Sequence, residues 1–153
     1  MRVNSKENSQ GNRKGKEEEC EKYFFKAKRL DNGEWVEGYY VKTRLGTDIK
    51  PSDVIFVPFK INRNEEWGWM KVDPNTLCQY TGLMDKNGRR IWENDIVRNE
   101  EGDIGVVQWF EEHAAFMIWN KTKNCVYYLA ENDFSKIEIV GNEFDNPELL
   151  EVE

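Results

Sequence analysis

Gln79-Tyr80-Thr81-Gly82-Leu83-Met84-Asp85-Lys86-Asn87-Gly88-Arg89-Arg90-Ile91-Trp92-Glu93-Asn94-Asp95-Ile96-Val97 is the stretch on which the reading of this chain turns. Within it, Asp85-Lys86-Asn87-Gly88 has the composition of a tight turn. Asn tolerates positive φ and Gly reaches it without steric cost, so the spacing predicts a chain reversal there. Ile91, Ile96 and Val97 then supply apolar β-formers, and Asp95 stands just before the Ile-Val pair, where a short carboxylate can accept from neighbouring backbone amides. Asp85, Asn87, Gly88 and Asp95 are therefore read as structural turn residues, and Asp95 as a turn carboxylate in preference to a catalytic one.

Downstream, four runs have strand character: Ile104 to Phe110, Ala114 to Trp119, Cys125 to Leu129, and Ile137 to Val140. Polar turns separate them, a spacing that predicts an antiparallel meander. Several runs are apolar on both sides, which fits a small barrel whose outer face is partly covered. Asn146 before Pro147 offers an N-cap residue followed by Pro at the first helical position, so one helical turn is expected at the end.

Upstream, Tyr23 to Lys28 alternates, Asp31-Asn32-Gly33 supplies turn residues, and Glu34 to Val41 reads as the returning strand. The run Val54-Ile55-Phe56-Val57 predicts a short strand that Pro58 ends. Asn62 to Gly68 is polar and expected to be exposed, and Trp69 to Val72 is expected to pair briefly before Pro74. Residues 1–22 hold no aromatic side chain and only Met1, Val3 and Cys20 as apolar ones. They cannot bury enough surface to offset the entropy of ordering, so a mobile tail is expected.

The signature stretch resembles the core of the YopX family, a set of small phage and prophage proteins. Gly105-Val106-Val107-Gln108-Trp109 and the closing Ile139 to Glu151 are similar to the same family. Phe24-Phe25-Lys26-Ala27-Lys28 with Trp35 is similar to its opening strand and aromatic partner. Asn94 departs from the pattern, the family more often having Gly before the Asp; if that position needs positive φ, Asn is the next best occupant. The resemblance implies an SH3-like small barrel and brings no catalytic or binding residues with it. The expectation is a mainly β protein in three parts: a tail over 1–22, an amino-terminal β segment with a hairpin over 23–76, and an SH3-like barrel over 77–153.

The chain has 153 residues, 39% of them apolar and 33% charged, an ordinary balance for one sizeable core. No window holds the roughly 18 uninterrupted apolar residues of a membrane span, and no signal-peptide core follows the first methionine, so a cytoplasmic location in a bacterial host is expected. Cys20, Cys78 and Cys125 are odd in number and far apart. Neither a disulfide framework nor a zinc site is suggested, and no cofactor or metal is expected.

The formal net charge is −7, and residues 77–153 hold seven basic against sixteen acidic side chains, a net charge of −9. Duplex binding depends on Lys and Arg neutralising phosphates, so this balance opposes it. His113 is the single histidine and lacks a recognisable nucleophile motif, the glycines form no phosphate loop, and the acidic turns do not follow the calcium-loop order. No enzyme is expected. The remaining anomaly is six Trp, six Tyr and eight Phe. Core packing claims most of them, and a surplus can line a peptide groove or stack on bases. Trp92, Trp109, Trp119, Tyr127 and Tyr128 are the candidate partner-binding residues. Alternation cannot bury both Tyr127 and Tyr128 on one face. The expected role is a non-catalytic accessory protein that binds a protein partner, with self-association allowed; nucleic-acid binding through the aromatics is the alternative.

Overall fold

The computed structural model describes residues 23–57, 68–131 and 133–151. The tail expected over 1–22 and most of the polar stretch expected over 62–68 lie outside them. The described chain is built from strands joined by tight turns and single 3-10 turns. A six-stranded antiparallel sheet has the order β4-β3-β2-β1-β5-β6, from β1 (Phe24–Lys28), β2 (Trp35–Thr43), β3 (Ser52–Val57), β4 (Gly68–Lys71), β5 (Cys78–Met84) and β6 (Arg90–Trp92). A five-stranded antiparallel sheet has the order β10-β9-β8-β7-β11, from β7 (Asp95–Arg98), β8 (Ile104–Phe110), β9 (Ala115–Asn120), β10 (Cys125–Tyr128) and β11 (Glu138–Asn142). The first sheet thus takes two of its strands from beyond residue 76.

The hairpins follow the turn chemistry. Gly33 adopts φ +74° between β1 and β2, and Phe24 faces Tyr39 across the pair. Gly88 adopts φ +75° in the β5–β6 reversal, where its amide donates to the Asp85 carbonyl at 2.9 Å. A Cβ on Gly88 would meet nothing within 4 Å, so the constraint there is backbone conformation alone. Gly88→Val is expected to cost about 1–3 kcal/mol, and a urea unfolding curve checks it.

The segment Ile91 to Val97 passes the chain from one sheet to the other. Glu93 and Asn94 form the corner, with Asn94 at φ +66°. The Glu93 amide donates to Gln79 of the first sheet at 2.9 Å, and the Asn94 amide to Val107 of the second at 2.7 Å. The departure from glycine is therefore met by the side chain best able to sit at positive φ.

The closed barrel is corrected. The expected meander holds for β8, β9 and β10, but the last run does not continue it. Two 3-10 turns, Leu129–Glu131 and Phe134–Lys136, carry the chain across the end of the sheet, and β11 pairs with β7 at the opposite edge. Burial explains the choice: Leu129, Ile137 and Ile139 enter the core with Ile91, Val97, Val107 and Ile118. The Ile139 amide also reaches the Asp85 carboxylate at 3.1 Å. Both sheets are open, and among the described residues no ladder joins β10 to β11.

The terminal turn forms as a 3-10 turn over Pro147–Leu150, but the Asn146 side chain does not cap it. Instead Asn146 Oδ1 accepts from the Asn142 amide at 3.4 Å, while Asn142 Oδ1 accepts from the amides of Phe144 and Asp145, each at 3.0 Å. This curl turns Phe144 and Asp145 back towards the first sheet.

Candidate functional site

Two of the places where the described residues gather polar and aromatic side chains are candidate sites. One is a cleft of about 720 Å³ between the sheets. Strand alternation puts Lys26 and Lys28 of β1 on the same face as Trp35 and Glu37 of β2, because the register pairs Lys26 with Glu37 and Lys28 with Trp35. Arg90 and Trp92 of β6, Asp95 at the corner and Asp145 from the terminal curl complete the walls.

These groups are bonded to one another. The Lys26 ammonium lies 2.8 Å from Asp95 Oδ1, 5.0 Å from the centre of Trp35 and 5.5 Å from that of Trp92. Asp95 Oδ2 accepts from the Trp92 amide at 2.8 Å. Asp145 accepts from Lys28 at 2.5 Å, from the Trp35 indole at 2.7 Å and from Asn142 at 3.0 Å. Arg90 donates to Glu37 at 3.2 Å and stacks near Phe24 and Tyr80, while Arg89 donates to the Ile139 carbonyl at 3.1 Å.

The titration directions follow from these contacts. Burial pushes the Asp145 carboxyl up, but the hydrogen bonds from Lys28, Asn142 and Trp35 outweigh it and hold the group down to about 2. For Asp95 the balance is reversed: burial raises its pKa despite Lys26. Cys78 behind the corner is fully buried, which pushes its thiol up to about 12 and makes it a poor nucleophile.

The other place is the edge of the second sheet. In β10, Val126, Tyr127 and Tyr128 are 40%, 44% and 38% exposed. Three successive residues each more than a third exposed mean that, among the described residues, neither face of this strand is fully covered. Cys125, half-buried, donates to the Tyr127 hydroxyl at 2.9 Å. His113, in the 3-10 turn Glu111–His113, has Nδ1 3.1 Å from the Tyr128 hydroxyl and meets that ring edge-on. Among the described residues no three or more His, Cys, Asp or Glu gather in a geometry for a metal ion.

The five singled-out aromatics do not converge. Trp92 is buried beside Tyr80 in the cleft wall. Trp109, half-exposed, meets Phe116 edge-on in the adjacent β8–β9 pair. The register Val107–Ile118–Tyr127 against Val106–Trp119–Val126 puts Tyr127 and Trp109 on one face and Trp119 and Tyr128 on the other. Lys26, Trp35 and Asp145, which the sequence reading passed over as site residues, lie in the cleft instead. Their spacing along the chain, 69 residues from Lys26 to Asp95 and 110 from Trp35 to Asp145, leaves no local signal. Among the described residues no helix is long and apolar enough to cross a membrane.

Two open antiparallel sheets joined at a positive-φ corner define a mainly β protein. A model of the family described as YopX protein matches residues 24–151, and the chain belongs to that family. Among solved structures, the crystal structure of protein yopX from Bacillus subtilis is similar, with a TM-score of 0.49 and 15% identity over 85% of this chain and 99% of that one. Comparison with curated proteins finds no match.

Proposed function

We propose that this protein acts without catalysis, as a phage or prophage accessory protein in the bacterial cytoplasm, by binding a protein partner at the β10 edge. The observation that supports this is the run of exposed Val126, Tyr127 and Tyr128 on a strand at the end of an open sheet. Tyr and Trp bring large contact area with few rotatable bonds, which is why they dominate binding hot spots. The inter-sheet cleft is the weaker candidate, because its cations and carboxylates are engaged with each other. In this reading the second sheet is the family's SH3-like element, and its aromatics serve as the ligand platform.

The reading is tested by affinity purification from a lysogenic host, followed by titration of the purified partner. Tyr127→Ala with Tyr128→Ala should weaken binding at least about tenfold, the scale of a single hot-spot contact. Unchanged affinity in that variant would move the binding surface elsewhere.

Nucleic acid is the contrasting ligand. With net −9 over residues 77–153, phosphate contacts fall to few cations. Of these, Arg89 and Arg90 are engaged by Ile139 and Glu37, and Lys86 by Glu138. Affinity for single- or double-stranded DNA or RNA is expected to be no tighter than about micromolar at physiological salt. Anisotropy titration checks this, and nanomolar, salt-sensitive binding lost in Arg89→Ala with Arg90→Ala would favour the nucleic-acid role.

A further inference from the structure

We propose that the segment of the partner seated on β10 is an extended, basic stretch of polypeptide that adds to the second sheet as a further strand and anchors one aliphatic side chain beside Tyr127. This rests on the β10 edge being the binding surface.

The backbone supplies the first argument. Cys125 to Tyr128 pair in unbroken antiparallel register with Asn120 to Met117, and among the described residues no strand pairs with the other edge of β10, whose alternate amides and carbonyls point away from β9. Edges that must not pair are blunted by shortness, Lys, Pro, a bulge or a covering segment, and of these β10 shows only its four-residue length among the described residues. The sequence Cys-Val-Tyr-Tyr has no such residue and its ladder has no bulge. Strand addition takes its affinity from these main-chain groups and its specificity from pockets for alternate side chains.

Such a pocket lies on the Tyr127 face. A hollow of about 170 Å³ is floored by Val97, Ile118 and Ile137 and walled by Tyr127 and the Lys123–Asp103 ion pair. Its rim is polar, with Arg98, Asn99, Glu101 and Asn120, while its floor is apolar, and its volume suits one aliphatic side chain laid on that floor. Cys125 pairs with Asn120, which lines the hollow together with Gly105. A partner side chain alongside Cys125 therefore reaches the hollow past Tyr127.

Charge selects the sign of the segment. Glu101 lines the hollow, and Glu111 and Glu112 flank the Tyr128 end beside His113. All three are exposed, and none makes an ion pair among the described residues. Of the nearby cations, Lys123 is paired with Asp103 and Arg98 with Glu138, and Lys121 in the β9–β10 turn is outnumbered by these three carboxylates. The edge thus favours Lys or Arg in the incoming strand. A second copy of this chain would bring the same acidic side chains together, which disfavours self-pairing.

The test uses the full chain and a labelled nine-residue synthetic peptide alternating Lys with Val or Ile. Two controls accompany it: the same peptide with Glu for Lys, and one with alternate amides N-methylated. The Lys peptide should bind, more weakly as salt rises, with each control at least about tenfold weaker, and Glu101→Lys with Glu112→Lys should reverse the preference between the Lys and Glu peptides. Failure of the Lys peptide to bind, or equal affinity after N-methylation or charge reversal, would overturn the proposal. A concentration-dependent dimer that the peptide does not dissociate would overturn it in favour of a second copy. If the peptide fails while Tyr127→Ala with Tyr128→Ala still releases the native partner, the β10 surface stands and strand addition falls. If neither responds, the surface itself is wrong.

Discussion

Asp85→Ala is expected to destabilise the folded chain by about 3–5 kcal/mol, one of the two largest effects that a single substitution should produce here. Asp85 is 5% exposed, and its carboxylate accepts from three backbone amides. Oδ1 holds Asn87 and Arg89 at 2.9 Å each, closing the β5–β6 turn. Oδ2 holds Ile139 of β11 at 3.1 Å, tying that turn to the second sheet. Alanine leaves all three donors without their acceptor, each costing on the order of 1–3 kcal/mol where water cannot reach it. Asp85→Asn keeps one oxygen but turns a donor towards Ile139, so it should fall between wild type and alanine.

The same carboxylate makes a signed pH prediction. Burial pushes its pKa up, but the amides of Arg89, Ile139 and Asn87 outweigh burial and hold it below the ordinary value of 3.8. A depressed folded pKa contributes stability above the unfolded value that is lost as pH falls through the folded one. The gap in unfolding free energy between wild type and Asp85→Ala should therefore be full at neutral pH and narrow below about pH 4. Urea unfolding at pH 7 and pH 3 measures it, and a gap that does not change with pH would show that the amide bonds are not its source.

Lys26→Met should cost about 3–5 kcal/mol at neutral pH, because it leaves the Asp95 carboxylate, 2% exposed, buried without its cation. The pH dependence runs opposite to that of Asp85. Burial already raises the Asp95 pKa, and losing Lys26 raises it further. A raised folded pKa gives stability that is present below the unfolded value and lost as pH rises through the folded one. The variant should therefore recover part of its deficit when unfolding is measured near pH 4 and lose it again towards pH 8. Lys26→Met with Asp95→Leu should be less destabilised at neutral pH than Lys26→Met alone, since replacing both charges by apolar groups removes the uncompensated one.

Local chemistry made the turns and strands legible. Asp31-Asn32-Gly33 and Asp85-Lys86-Asn87-Gly88 each carry their own reason to reverse, and both glycines sit at positive φ. The runs at Val54, Val106, Phe116 and Val126 each became strands. What could not be read was the order of strands within the second sheet. Cys125 to Leu129 and Ile137 to Val140 both look like continuations of a meander, and it is the burial of Leu129, Ile137 and Ile139 and the capture of the Ile139 amide by Asp85 that send β11 to the far edge. The cleft was hidden for a related reason: Lys26, Trp35 and Asp145 are unremarkable in their own neighbourhoods, and their meaning lies in pairs set by register. Trp92 and Tyr127 looked alike as aromatics in apolar runs, yet one is buried beside Tyr80 and the other lies on an open edge. Alternation gives the face of a side chain but not which faces are covered.

The hydrogen bonds of Asp145 also bear on how the chain comes together in time. Asp145 reaches back 117 residues to Lys28 and 110 to Trp35, and β1 pairs with β5 across the whole β2–β4 excursion. During synthesis the first hairpin emerges long before these partners do. Its Trp35 ring and Lys28 ammonium stay in water until the last strand and the curl after it have been made. Contacts this distant must overcome loop-closure entropy before they return any energy, so the docking of residues 142–146 belongs to a late step in folding. The contacts of the opening strand are completed by a curl that lies 117 residues further along the chain.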